Sequence, residues 1–162
     1  MRTAMMVAAL AWWGAVPLAV SAGGDPVAIA IIVHPSNDVP DPSTEELRAI
    51  FRLTRQFWPS GRRVSLLLPP SGSVEKAVLL DRLYGTDDAE LRKFWVGQLF
   101  RGTIPAIPST LRSAEAVIAA VRASEGGIAA VPVSAVPRDV RVLRIDGKDP
   151  RDPEYPLRAQ PQ

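Results

Sequence analysis

The segment VAIAIIVHPSN, residues 27–37, decides the fold class. Its first seven residues are all valine, isoleucine or alanine, and His34 and Pro35 close the run. A short run of this composition is typical of a strand that is buried on both faces of a sheet. We therefore expect a central strand, with helices covering the sheet on both sides.

Helical and extended patterns alternate downstream of this strand. Apolar spacing, capping residues and glycines predict helices over about 44–53, 74–84, 88–100 and 114–123. Strands are predicted over 64–68, 128–133 and 140–145, the last of them as an edge strand. Strands separated by helices favour the α/β class. We expect a mixed, mostly parallel sheet flanked by helices.

The helical patterns also predict which side chains are buried. In the second helix the apolar residues at helical spacing are Val74, Ala77, Val78, Leu80 and Leu83. In the third helix we expect these core residues: Leu91, Phe94, Trp95, Leu99 and Phe100. The tail beyond Gly147 is too rich in proline and charge for a regular element, and 155–158 is expected to dock it onto the domain.

The amino terminus has the pattern of an export signal. Arg2 precedes an almost wholly apolar stretch over 4–18, and Val20-Ser21-Ala22 supplies a small-x-small cleavage pattern. We predict a signal peptide over 1–22, cleavage after Ala22 and a single mature domain over 23–162 that is periplasmic or secreted. The alternative is an uncleaved membrane anchor, because the apolar run approaches the length that spans a bilayer.

Composition narrows the function classes. The chain has 19 basic residues, one of them Arg2, against 17 acidic residues, and this balance creates no long-range field for nucleic acid. It has no cysteine, which excludes a lipoprotein anchor, a disulfide framework and a thiol nucleophile. His34 is the only histidine, and we find no motif of a catalytic triad. We expect no cofactor, no metal site and no enzymatic activity.

Aromatic and basic residues are interleaved around one turn. Phe57 and Trp58 are flanked by arginines at 52, 55, 62 and 63. This pattern fits either a nucleic-acid surface or a turn that Trp58 pins to the core, with the arginines on a solvated face. Export favours the second interpretation.

Several motifs in order resemble one known family. The stretches are 33–37 (VHPSN), 44–51 (TEELRAIF), Trp58, 71–73 (SGS) before a helix, 126–131 (GGIAAV), and Asp146-Gly147 with 155–158 (YPLR). In this order they resemble the phosphate-binding proteins of bacterial ABC transporters. The resemblance implies a reduced form of the type II periplasmic-binding-protein fold.

The chain departs from the family pattern in identifiable places. The family's amino-terminal segment, with its own phosphate loop, has no counterpart ahead of Val27. An arginine and an acidic residue of the family pattern fall on Leu67 and Pro69 here, and Ser73 replaces a threonine. Half of the usual anion cage is therefore missing.

Ser71, Gly72 and Ser73 are the strongest candidate ligand residues. At a helix start they offer hydroxyl donors, free backbone N–H groups and the positive end of a helix dipole, which suits phosphate or carboxylate. The alternative is an ordinary helix cap. His34, Ser36 and Asn37 follow another strand and are the second candidate group, because ligands in such sheets lie beyond the carboxyl ends of strands. For His34 the alternative is a loop side chain bonded to backbone.

Two functions remain open, and a third ranks last. The first is a solute-binding protein that binds a small oxyanion such as phosphate for an ABC-type uptake system, with a membrane permease as partner. The second is a periplasmic accessory or interaction protein that keeps the fold but has lost ligand binding. An exported hydrolase has only isolated serines and His34 in its favour.

Overall fold

The computed structural model describes residues 27–159 of the chain. The strands are β1 (Ile29–Val33), β2 (Ser65–Leu68), β3 (Ser109–Thr110), β4 (Gly127–Pro132) and β5 (Arg141–Leu143). The α-helices are α1 (Thr44–Phe51), α2 (Val74–Leu79), α3 (Asp88–Phe100) and α4 (Ala114–Ala123), and α2 continues into a π-helical turn, Leu80–Tyr84. The predicted signal segment lies outside the described residues, so its cleavage stays a prediction. None of the helices within 27–159 is long and apolar enough to cross a membrane.

The five strands form one mixed sheet in the order β3-β2-β4-β1-β5. β2 is parallel to β3 and β4, whereas β1 is antiparallel to β4 and β5. Four strands thus run in one direction and β1 runs in the other. The predicted α/β class and mixed sheet are confirmed, and β5 is an edge strand as expected. Sequence reasoning missed β3, which lies in a proline-rich passage.

Helices cover both faces of the sheet, because alternate residues of β1 enter different cores. Ile29, Ile31 and Val33 belong to a large cluster with residues of α1, α2 and α3. Ile32 belongs to a smaller cluster with Val117 and others of α4. All five residues of β1 are buried, which confirms that this strand lies inside the sheet, next to the central strand β4.

The buried face of α2 differs from the predicted one. Val78 and Leu83 are buried as expected, but Val74 is 49% exposed, Ala77 is also exposed and Leu80 is only half-buried. Their places are taken by three other buried residues, Glu75, Lys76 and Leu79. The π-helical turn explains the difference, because its extra residue shifts the helical register between the two halves of the segment.

The carboxyl end of α3 also departs from the prediction. Leu91 and Trp95 are buried, and Phe94 is half-buried, but Leu99 is 40% exposed and Phe100 is 87% exposed. Phe100 lies nine residues beyond Leu91, which is about two and a half helical turns and so points to the opposite face. Phe100 is therefore a surface residue, and the prediction that it packs in the core is wrong.

Two long-range attachments predicted from the sequence are confirmed. Trp58 is 3% exposed, and its indole N–H donates to the Gly126 carbonyl at 3.0 Å. The tail is docked through buried Leu157, whose carbonyl accepts from the Ile29 N–H at 2.8 Å. Two residues further along the chain, the Ala159 N–H donates to the Val27 carbonyl at 2.9 Å. The two ends of the described chain therefore lie side by side.

Candidate functional site

Strand direction separates the two predicted groups of ligand residues. Val33, at the end of β1, pairs with Ile128 of β4. Ile128 in turn pairs with Leu66, near the start of β2. His34, Ser36 and Asn37 therefore follow β1 at the edge of the sheet where β2 begins. Residues 71–73 follow β2 at the opposite edge. The structure does not bring the two groups together, because β1 is antiparallel to its neighbour.

The His34 loop is closed on itself. Nδ1 of His34 lies 2.7 Å from the Ser36 hydroxyl and accepts from the Ser36 backbone N–H at 3.1 Å. Asn37 is only 5% exposed, and its Oδ1 accepts from the Val39 N–H at 3.2 Å. These bonds hold a turn. A role of His34, Ser36 and Asn37 in ligand binding stays a prediction.

The Ser71-Gly72-Ser73 turn combines a helix cap with an exposed rim. Ser73 accepts the Lys76 N–H at 3.1 Å and is the N-cap of α2, so the capping alternative holds for Ser73. Gly72 has φ +80°, a left-handed conformation that glycine adopts without strain. Ser71 and Gly72 are both exposed. Ser73 is thus committed to the helix, whereas Ser71 and Gly72 face solvent.

A buried cation lies directly behind this turn. The Lys76 side chain is only 4% exposed, and its Nζ lies 3.5 Å from Oδ1 of Asp88 in α3. The other carboxylate oxygen of Asp88 binds Arg92 at 2.7 Å and accepts from the Ser71 hydroxyl at 3.3 Å. Burial lowers the pKa of Lys76, and the nearby Asp88 carboxylate opposes that shift. Two cations and one anion leave this cluster with a net positive charge.

The cluster borders a cavity of about 270 Å³ between α2, α3 and the loop before β3. Ser71, Lys76, Asp88, Arg92 and Thr110 supply polar groups to its lining. The remaining lining residues are apolar or aromatic: Leu68, Leu91, Trp95, Val96, Ile107 and Pro108. An apolar hollow with a few convergent polar groups is the usual form of a small-molecule site. We take this cavity and the 71–73 turn as the candidate site.

Sequence reasoning found the turn but missed the charges behind it. Leu67 and Pro69, in the two places where the family pattern has charged residues, are buried, and Leu67 packs in the cluster under α4. Lys76 and Asp88 instead supply opposite charges at the same edge of the sheet. The signal was a lysine three residues after the Ser73 cap, but its inward position is seen only in its burial and in its contact with Asp88.

No protein-family model matches the sequence, and no curated protein matches it either. Solved structures do match the fold. A protein of Clostridium perfringens, described as a phosphate ABC transporter substrate-binding protein with bound phosphate, has a TM-score of 0.67 at 17% identity. The match covers 84% of this chain and 54% of that one. The chain shares the fold of a substrate-binding protein.

Two further structures agree with this result. PstS of Borrelia burgdorferi matches with a TM-score of 0.65 at 14% identity, over 84% of this chain and 56% of that one. An ABC-type phosphate transport receptor of Vibrio cholerae matches with a TM-score of 0.61 at 12% identity, over 77% and 48%. The fold that the sequence resemblance implied is confirmed. The chain spans about half the length of these structures.

Proposed function

We propose that this chain is an exported solute-binding protein that takes up a small oxyanion, such as phosphate, and presents it to an ABC-type permease. One observation carries the proposal: the exposed Ser71-Gly72 turn stands beside the buried Lys76 ammonium in a cluster of net positive charge. The similar structures are described as phosphate-binding or phosphate-transport proteins, which supports the choice of ligand class. The protein binds its ligand and catalyses no reaction on it.

The donors at this edge suit an oxyanion. The Ser71 hydroxyl is turned toward Asp88 at 3.3 Å, a long bond that an anion can replace. The backbone N–H groups of Val74 and Glu75 belong to the first turn of α2, where a helix has no acceptor of its own for them. Lys76 adds a full charge in a poorly hydrated place, where its attraction for an anion is stronger than in water.

Binding is tested by titration of the purified chain with phosphate, sulfate and acetate, in a calorimeter and by thermal shift. An anion at a hundredfold excess over its Kd stabilises the folded state by about 2.7 kcal/mol. We expect Ser71→Ala to weaken binding of the preferred anion. Ser36→Ala is the matched control, because Ser36 is an exposed serine at the opposite edge of the sheet. If none of the three anions shifts the transition, or if both variants weaken binding equally, the proposal fails.

One observation favours a second candidate function, a periplasmic accessory protein that has kept the fold and binds an exported or membrane partner. Four apolar side chains are exposed on α3 and the loop after it: Val96, Leu99, Phe100 and Ile107. Phe100 is the most exposed of them, at 87%. Exposed apolar residues that lie together are typical of protein–protein contacts.

The two functions differ in which substitution abolishes partner binding and which one weakens anion binding. If the chain is an accessory protein, Phe100→Ser abolishes co-purification of its partner from the native host, and Ser71→Ala leaves that complex intact. If the chain binds an oxyanion, Phe100→Ser leaves the Kd for that anion unchanged. A protein that stays monomeric and captures no partner rejects the accessory function.

A further inference from the structure

We propose that the ligand is an organic oxyanion, a phosphonate or carboxylate that carries a compact apolar group, and that the cavity beside Lys76 holds that group. This inference rests on the proposed oxyanion-binding function and names its substrate class. In this arrangement the charged end meets Ser71 and Lys76, and the apolar group lies between α3 and the loop before β3.

The size of the cavity points to more than an inorganic anion. Its volume of about 270 Å³ is close to the lower end of the range for ligand pockets, roughly 300 Å³. Phosphate has five non-hydrogen atoms, whereas a water molecule in the liquid already occupies about 30 Å³. A bare phosphate at the polar end would leave most of this space to water.

The apolar walls of the cavity offer that water few hydrogen-bond partners. Leu68 and Leu91 are 2% exposed and form its inner wall, and Val96, Ile107 and Pro108 complete the apolar lining. Water needs two to four polar partners to stay in such a place. Four of the five polar lining residues, Ser71, Lys76, Asp88 and Arg92, are joined in one cluster, so an apolar substituent beside that cluster fills the remaining space at a gain in free energy.

Trp95 adds an aromatic side chain to the apolar wall of the cavity. It is 2% exposed and lines the cavity, yet its indole N–H has no hydrogen-bond partner within residues 27–159. A buried donor without an acceptor is unfavourable, and structures normally satisfy it. Trp58, also buried, shows the usual situation, because its N–H donates to the Gly126 carbonyl. The Trp95 N–H is enclosed by protein, so its ring gives the cavity an aromatic wall and not a hydrogen-bond donor.

Two matched pairs of probes test the inference by calorimetry on the full chain: phenylphosphonate against phosphate, and benzoate against acetate. We expect the member with the ring to bind about tenfold more tightly or better in at least one pair, because burial of part of a ring contributes 1.4 kcal/mol or more. The indole fluorescence should change on binding in the wild type and should not change in Trp95→Phe.

Val96→Ser should reduce the preference for the ring, measured as the ratio of the two Kd values within each pair of probes. Leu99→Ser is its control, since Leu99 is on the same helix, is exposed to a similar extent and lies outside the cavity lining. Both positions are exposed, so both variants should fold. Equal effects of the two substitutions would overturn the inference.

Lys76→Met separates the charge from the cavity. Asp88 is 30% exposed and keeps its bond to Arg92, so we expect the variant to fold and to lose binding of all four probes at least tenfold. Unchanged binding in Lys76→Met would overturn the inference. Equal affinity for ringed and bare anions would also overturn it and would leave the proposed function standing. Failure of all four probes to bind would overturn both.

Discussion

The carboxylate of Asp146 holds the start of α1 through Thr44, which lies 102 positions earlier in the sequence. It accepts from the Thr44 N–H at 2.9 Å and from the Thr44 hydroxyl at 2.6 Å. Asp146 adopts φ +52°, a left-handed conformation that is uncommon outside glycine. The closing segment of the chain thus adds a second cap to α1, beside the Ser43–Glu46 capping box.

Asp146→Ala should lower the free energy of unfolding by about 1 kcal/mol, the usual effect of losing a cap. The control is Asp38→Ala, at an exposed aspartate, and we expect its effect to stay within about 0.5 kcal/mol. Hydrogen bonds from Thr44 lower the pKa of Asp146. Its contribution is therefore complete above the ordinary pKa near 4 and is lost as the pH falls through the lowered folded value. Urea unfolding at pH 7 and pH 3 measures the loss of stability and its dependence on pH. An equal effect of the two variants at pH 7 would contradict the proposed cap.

Gly126→Ala should destabilise the fold by about 3 kcal/mol, in the upper range for overpacking. A Cβ at this position would lie 2.1 Å from the Arg63 carbonyl oxygen, a backbone atom that cannot move aside as a flexible side chain would. Gly61→Ala is the control, because its Cβ meets nothing within 4 Å and only the positive φ is unfavourable, by about 1 kcal/mol. Chemical denaturation compares the free energies of unfolding of the two variants. Similar losses of stability would show that the contact with Arg63 relaxes.

Tyr84→Phe should lower stability by about 1 kcal/mol at pH 7, because the Tyr84 hydroxyl donates to the Phe51 carbonyl at 3.0 Å. Burial raises the pKa of Tyr84 above its ordinary value near 10, and Arg52 opposes this shift. A raised folded pKa means that the stabilisation is complete below pH 10 and is lost as the pH rises beyond it. The variant should therefore lose less stability than the wild type between pH 9 and pH 11. Parallel curves from thermal melts over this range would refute the assignment.

Ser73→Ala should mainly lower stability, whereas Ser71→Ala should mainly weaken anion binding. Ser73 caps α2, so its loss should cost about 1 kcal/mol of stability. Ser71 is exposed and makes one long bond, so its loss should leave Tm nearly unchanged and weaken anion binding. Thermal melts with and without phosphate check both variants. A large drop in Tm for Ser71→Ala would assign Ser71 to the fold instead.

Local signals in the sequence predicted most of the elements. Ser43, Asp87 and Ser113 each cap a helix by accepting the N–H three residues on, and all three helix starts were predictable to within one residue. β1 was recognisable from its composition alone. These features were predictable because the interactions that form them span only a few residues.

The candidate site was predictable only in part, since its remaining features depend on long-range geometry. The direction of β1 follows from its pairing with β4, about a hundred residues later, and that direction separates Asn37 from Ser71. The approach of Lys76 to Asp88 follows from the packing of α3 against α2. Periodicity alone cannot show a register shift or a contact between helices.

The pairing of Val27 with Ala159 has a consequence for engineering. The Ala159 N–H and the Val27 carbonyl are hydrogen-bonded at 2.9 Å, so a short linker could join the two ends. New termini could then be opened at the exposed turn around Gly61. The same proximity would let the domain be inserted into a surface loop of a host protein without stretching either chain. A ligand that stabilises this domain would then also stabilise its host, and the insertion would report binding as a change in the host's own signal.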